Sequence, residues 1–110
     1  MARGDLLLVS LPTSDGREQS GTRPALAIQT EVAGEPMLIV APITSNLNAL
    51  RFSFTIKIEP SEENGLMQDS VVMIFQMRAI DKKRILKKFG NLSSDDMQKV
   101  ETEIRRLLSL

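Results

Sequence analysis

Apolar and polar residues alternate strictly along Phe52-Ser53-Phe54-Thr55-Ile56-Lys57-Ile58-Glu59, the two-residue period of a strand that turns one face to a core and the other to water. Further runs rich in Val, Ile, Leu and Phe, bounded by Gly, Pro, Asn and Ser, read as strands in the same way. The predicted set covers residues 5–11, 25–30, 37–43, 52–58 and 70–75. Val32-Ala33-Gly34-Glu35-Pro36 reads as a hairpin turn between the second and third strands, and Asn64-Gly65 breaks the chain before the fifth. After Gln76-Met77-Arg78 the period changes, and residues 81–86 read as a short helical turn ended near Gly90. A longer helix follows. Ser93 stands three residues before Asp96 in a capping-box-like spacing, and Met97, Val100, Ile104, Leu107 and Leu108 form one apolar stripe that should pack on an open side of the strands. Short strands that curl on themselves under one terminal helix predict a mainly β fold with a C-terminal helix, an SH3-like small barrel rather than a parallel α/β sheet.

Length and composition narrow the picture. At 110 residues the chain reads as one domain over residues 1–110, small enough that pairing with a second copy would add useful burial. An apolar fraction of 42% and a charged fraction of 25% argue against disordered, collagen-like or coiled-coil readings. No stretch approaches the roughly 20 apolar residues of a membrane span, and Met1-Ala2-Arg3-Gly4-Asp5 opens no secretory signal, so the expected address is cytoplasmic, with no membrane partner. The absence of Cys and His rules out a disulfide framework and leaves carboxylates alone for a zinc site, so neither a metal nor another cofactor is expected. Fourteen basic and fourteen acidic residues cancel. Nucleic-acid contacts must then be local, because no overall basic excess supplies them. Without histidine, any catalysis near neutral pH falls to carboxylates, arginines and hydroxyls.

Candidate chemistry gathers in Gly16-Arg17-Glu18-Gln19-Ser20-Gly21-Thr22-Arg23-Pro24, a polar loop that runs into the apolar segment Ala25-Leu26-Ala27-Ile28. The connection is about a dozen residues long where most are roughly 4–6, and long loops on a rigid scaffold commonly carry binding or catalysis. A flexible hairpin tip with ordinary turn chemistry is the plain alternative. Arg23-Pro24 favours the site reading, since it delivers a charge to the start of a rigid strand.

The chain resembles the MazF/PemK (Kid) family of toxin endoribonucleases over nearly its whole length. The resemblance rests on Gly4-Asp5, Leu11-Pro12, the loop Gly16-x-Glu18-Gln19-x-Gly21-x-Arg23-Pro24-Ala25-Leu26, then Ala41-Pro42-Ile43-Thr44-Ser45, Ser70-Val71, Gln76-x-Arg78-x-Ile80-Asp81 and the helix after Leu92-Ser93, all in the expected order. It implies a homodimer of SH3-like barrels that cuts single-stranded RNA at a short recognition sequence without a metal and is held silent by a cognate antitoxin protein. By that similarity Arg23 matches the catalytic arginine at the start of the second strand, and Thr44 the hydroxyl residue ending the third.

Residue chemistry agrees with those roles. In metal-free cleavage the ribose 2′-OH attacks the adjacent phosphate, so the site must take a proton, stabilise phosphoryl charge and support the departing 5′-oxygen. The Arg23 guanidinium can pair with two oxygens and stays charged, Thr44 can donate a further hydrogen bond, and Glu18 is the nearest proton acceptor in the motif. Gln19, Gln76 and Arg78 are candidate RNA contacts. Ser45, Asn46 and Arg51, in the loop after Thr44, offer groups that read unstacked base edges. Each also has a structural use, as a surface ion pair, a strand cap or a tie between strands, and Gly21 reads as a backbone-geometry residue. Where relatives often carry an acid before the Gln-x-Arg element, this chain has Phe75, which reads as core ahead of a base-stacking role. The run Lys82-Lys83-Arg84 with Lys87-Lys88 reads as a solvated face, and Met67, Met73, Met77 and Met97 as core filler. Two other functions stay open: a gyrase-poisoning toxin sharing the barrel, and an RNA-binding barrel without catalysis.

Overall fold

The computed structural model describes residues 1–11 and 21–110. Among these, seven strands and one long helix follow in the order β1 (Asp5–Leu11), β2 (Gly21–Ala27), β3 (Met37–Thr44), β4 (Thr55–Ile58), β5 (Ser70–Met73), β6 (Arg78–Asp81), β7 (Ile85–Asn91) and α1 (Ser94–Leu108). Short 3-10 turns occupy Leu47–Arg51, Ile74–Gln76 and Lys82–Arg84.

The sheet is antiparallel throughout, and β3 is its hinge. Its first half pairs with β6, from Met37↔Asp81 to Val40↔Arg78, and its end pairs with β5 through Ile43↔Val72 and Thr44↔Val71. On its other side β3 pairs with β2, which pairs with β1, which pairs with β7. Only the three-residue turn Lys82–Arg84 joins β6 to β7, so the outer edges of β6-β3-β2-β1-β7 must lie close together and the sheet curls into a small barrel.

Both faces of β1, at the centre of this sheet, are largely buried, which accounts for its near-continuous apolar run. Leu7, Val9, Leu11, Ala25, Ala27, Leu38, Val40 and Ile80 form one cluster, with Ile85 packed on it; they share the face that points into the barrel. Leu6, Leu26, Ala41 and Ile43 occupy the opposite face and meet Ile56, Ile58 and Val72 from the β4–β5 pair and Val100 from α1. Met97, Ile104 and Leu107 also pack on this outer cluster, as the stripe on α1 predicts. Leu108 does not belong to the seam and is 51% exposed. The predicted cap is present: the Ser93 side chain accepts from the Asp96 N–H at 3.1 Å.

Several boundaries differ from the sequence expectation. The second strand begins at Gly21 rather than residue 25, because β1 supplies a ladder from Leu11↔Gly21 to Val9↔Arg23 that recruits residues with no apolar period. The fourth strand is shorter than residues 52–58, because Phe54 adopts φ +61°. That conformation, uncommon for a bulky residue, lets its carbonyl accept from the N–H groups of Ile74 and Phe75 at 3.0 and 3.3 Å. The fifth strand ends at Met73 and gives way to a 3-10 turn. Only Lys82–Arg84 of the predicted helical turn over 81–86 is helical, and Ile85–Asn91 is a strand, since β1 offers an unpaired edge that outweighs local preference. Met67 is 95% exposed and fills no core.

The basic run is partly tied down. Lys82 Nζ lies 3.0 Å from a Glu31 oxygen and Lys88 Nζ 3.2 Å from Asp5, while Lys83 and Lys87 are exposed. The terminal ammonium of Met1 also meets Glu31, and this hydrogen bond, together with Lys82, holds the Glu31 carboxyl below its ordinary value.

The loop before β5 is fastened to β7 by backbone proximity. Buried Asn64 accepts from the N–H groups of Ser61 and Leu66 and donates to the Glu59 carbonyl at 2.8 Å, and the Asn91 N–H donates to the Glu63 carbonyl at 2.9 Å. A Cβ on Gly90 would stand 2.3 Å from the Asn64 carbonyl oxygen, whereas one on Gly21, at φ +82°, would meet nothing within 4 Å among the described residues. Gly90→Ala is therefore expected to destabilise the fold by about 2 kcal/mol or more through forced backbone movement, against about 1 kcal/mol for Gly21→Ala from backbone strain alone. Urea denaturation of both variants reads the difference, and equal losses would contradict the close approach.

Candidate active site

The ladder between β2 and β3 runs Ala27↔Val40, Leu26↔Ala41, Ala25↔Pro42 and stops there. Pro24 and Pro42 lack an N–H to extend it. Arg23 and Thr44 each lie two residues beyond this last pair, on β2 and β3 respectively. The faces agree as well: Arg23 alternates with Ala25 and Ala27, Thr44 with Val40 and Leu38, and Arg78 with Ile80, all residues of the barrel-interior face. Arg23 is exposed, Arg78 half-buried and Thr44 buried; Arg78 pairs with Val40, four residues before Thr44 along β3. Pairing with Val9 on its other side, Arg23 is a third-position residue of β2 rather than its first.

Thr44 is fixed by its successor. Its hydroxyl accepts from the Asn46 N–H at 3.1 Å, and the Asn46 side-chain oxygen accepts from the Asn48 N–H at 3.1 Å, capping the 3-10 turn Leu47–Arg51. The loop after Thr44 is therefore an ordered turn with one asparagine used as its cap. The turn closes a cleft of about 110 Å³ lined by Thr44, Asn46, Asn48, Arg51, Phe52 and Gln76. Inside it the Arg51 guanidinium lies 4.9 Å from the centre of the Phe52 ring, a cation–π distance that holds the charge over the aromatic face.

The expected residues thus divide. Thr44, Asn46, Arg51 and Gln76 share the cleft. Ser45 faces a second, more apolar cleft of about 270 Å³ with Leu8, Pro24, Ile43, Met67 and Phe89, on the other side of the point where β2 and β3 part. Arg23, paired with Val9, and Arg78, paired with Val40, lie on the barrel-interior face of different strands and outside the Thr44 cleft. Glu18 and Gln19 lie outside the described residues. Phe52 was expected as a strand residue and instead forms a wall of the cleft. Its place directly after Arg51 and beside a polar loop was the available signal. Asn48, within the same loop, was not singled out.

Phe75 takes the core role. It packs against Ala49, Val71 and Met73 and lies 5.4 Å from Phe52 between ring centres, tilted by 43°, an aromatic pair that supports the wall of the cleft from behind.

A profile of the family described as PemK-like, MazF-like toxin of type II toxin–antitoxin systems matches residues 2–108. The chain belongs to this family. An endoribonuclease MazF of Staphylococcus saprophyticus is 37% identical over 112 residues, covering 100% of this chain and 92% of that protein. Two solved structures share the fold: MazF of Deinococcus radiodurans, with TM-score 0.78, 24% identity and coverage of 100% of this chain and 97% of that one, and a mycobacterial endoribonuclease in complex with its cognate antitoxin, with TM-score 0.74, 16% identity and coverage of 100% and 94%. The toxin barrel with a C-terminal helix is the architecture expected from the strand pattern. No described helix is long and apolar enough to cross a membrane.

Within this toxin family's barrel, Phe75 leaves no room for an acid. Phe75→Asp would press a carboxylate against Ala49, Val71 and Met73 and is expected to destabilise the fold by about 2–4 kcal/mol. Chemical denaturation reads this directly. A loss below about 0.5 kcal/mol, the range of an unremarkable surface substitution, would show that the ring is dispensable to the core.

Proposed function

We propose that this chain is an endoribonuclease toxin that cleaves single-stranded RNA, messenger RNA above all, in the cytoplasm, acts as a homodimer and is silenced by a cognate antitoxin protein. What supports this reading is family membership, the relative named for the same activity, and the placement of Arg23 and Thr44 on the same face of adjacent strands, each just beyond the last β2–β3 pair.

In the proposed reaction the ribose 2′-oxygen attacks its own 3′-phosphate, and the bond to the 5′-oxygen of the next nucleotide breaks. The products are a 2′,3′-cyclic phosphate and a free 5′-hydroxyl, so the proton lost by the 2′-OH is balanced by one gained at the leaving oxygen. The Arg23 guanidinium pairs with the two non-bridging oxygens as charge builds on them. The Thr44 hydroxyl, already oriented by accepting from Asn46, keeps its own proton to donate to the same group. Glu18 is the proposed proton acceptor. Gln19, Ser45, Asn46, Arg51, Gln76 and Arg78 are the proposed RNA contacts. No metal ion has a part in this scheme, and DNA is inert because it lacks the attacking 2′-OH.

Purified protein incubated with long unstructured RNA in EDTA, with new ends mapped, tests the proposal. Cleavage at a recurring short sequence is expected, falling about 100-fold or more in Arg23→Ala and in Thr44→Ala, the size of effect seen when one charge-stabilising donor is removed. Intact RNA with folded, antitoxin-free protein would overturn the nuclease reading and favour a protein target such as gyrase.

A further inference from the structure

Of the four asparagines in the chain, at 46, 48, 64 and 91, only Asn64 is followed by glycine. In such a pair no side chain on the second residue shields its backbone nitrogen, which can attack the asparagine side-chain carbon. An N–C bond forms, ammonia leaves and a cyclic imide remains; water then opens the imide to an aspartyl or isoaspartyl residue. The net change is one amide and one water converted to a carboxylate and ammonium. Each half of the pair has a structural use here. The Asn64 side chain is buried and ties its loop together, accepting from the N–H groups of Ser61 and Leu66 at 3.0 and 2.9 Å and donating to the Glu59 carbonyl at 2.8 Å. Gly65, at φ +68°, passes so near β7 that a Cβ would stand 2.7 Å from the Phe89 carbonyl oxygen.

The same contacts hold the reaction off. The attacking nitrogen of Gly65 donates its proton to the Ser61 carbonyl at 3.0 Å, and the carbon it would attack carries an amide whose oxygen and nitrogen are both bonded elsewhere in the loop. Ring closure requires these bonds to break together, so it proceeds only from a locally opened loop. We infer that Asn64–Gly65 is a deamidation site gated by the loop over residues 59–66, and that its product keeps the loop from closing again. In the aspartyl product an oxygen replaces the Nδ2 donor and faces the Glu59 carbonyl, acceptor against acceptor, with a negative charge brought into a buried position. The isoaspartyl product lengthens the backbone by one atom where Asn64 and Gly90 approach too closely to admit even a Cβ. A transient opening is thereby made permanent.

Peptide mapping by mass spectrometry on the full chain, held in mildly alkaline native buffer and in concentrated urea, tests this. In urea the one-dalton gain of deamidation is expected at Asn64 ahead of the other three asparagines. In native buffer it is expected to be about 100-fold slower or more, the protection given by several hydrogen bonds that must open together. Chains modified in urea and returned to buffer are expected to show faster amide exchange over residues 59–66 and a lower urea midpoint than unmodified chains taken through the same transfer. Asn64→Asp, which matches the aspartyl product, is expected to share both changes. A native rate within a few-fold of the urea rate would show that the loop does not guard the pair, and modified chains with the unmodified exchange pattern and midpoint would show that the closed loop accepts the product. Either result overturns the inference, and neither bears on the nuclease reading.

Discussion

The structure depends on the division of β3 between two partners. Along Met37–Val40 its free edge is taken by β6, and from Ile43 onward by β5. One strand therefore belongs both to the barrel and to the pair of strands that backs it, and its alternate residues fill two cores, Leu38 and Val40 inside the barrel and Ala41 and Ile43 outside. A one-residue slip would exchange those faces, so burial on both sides fixes the register tightly. Thr44 inherits that precision. It lies one residue beyond the buried Ile43, is itself buried, and is paired to Val71.

The same constraint opens the site. Two prolines end the β2–β3 ladder, and beyond them the strands have no continuous hydrogen bonding to hold them in a flat sheet. Just past the last pair, Thr44 lines a polar, aromatic-walled cleft, and Pro24 and Ile43 line a separate, more apolar one. Rigid strands thus set the positions of the charged and hydroxyl groups. The neighbouring 3-10 turn, held by the relay from Thr44 to Asn46 to Asn48, orders the groups around them. Such support behind groups proposed to touch a substrate is what would keep reacting atoms aligned.

Much of this was legible in the sequence, for reasons that differ by element. The stripe on α1 and the run of β1 are strongly periodic or strongly apolar, and both were found where expected. β7 was not, because Leu86-Lys87-Lys88-Phe89 carries no clear period and becomes a strand only through the edge that β1 presents. Arg23 and Thr44 were proposed from their motifs, but that both lie just past the end of one ladder is a property of strand pairing, which no local pattern contains. Phe54 hid its positive φ inside an alternating run, and Phe52, counted in the same run, was thereby assigned to a strand instead of the cleft. Asn46 and Asn48 are the same residue type two positions apart, and only hydrogen bonding shows which of them is the cap.

The central claim is that Arg23 and Thr44 act on one phosphoryl group as a unit. A double-mutant cycle on kcat/KM for a single-site RNA, comparing wild type, Arg23→Ala, Thr44→Ala and the double variant under EDTA, tests it most directly. Groups that stabilise the same transition-state charge are strongly non-additive. The account predicts a double variant about as slow as the slower single one. Losses that multiply in full would show that the two residues act independently and would contradict the shared site.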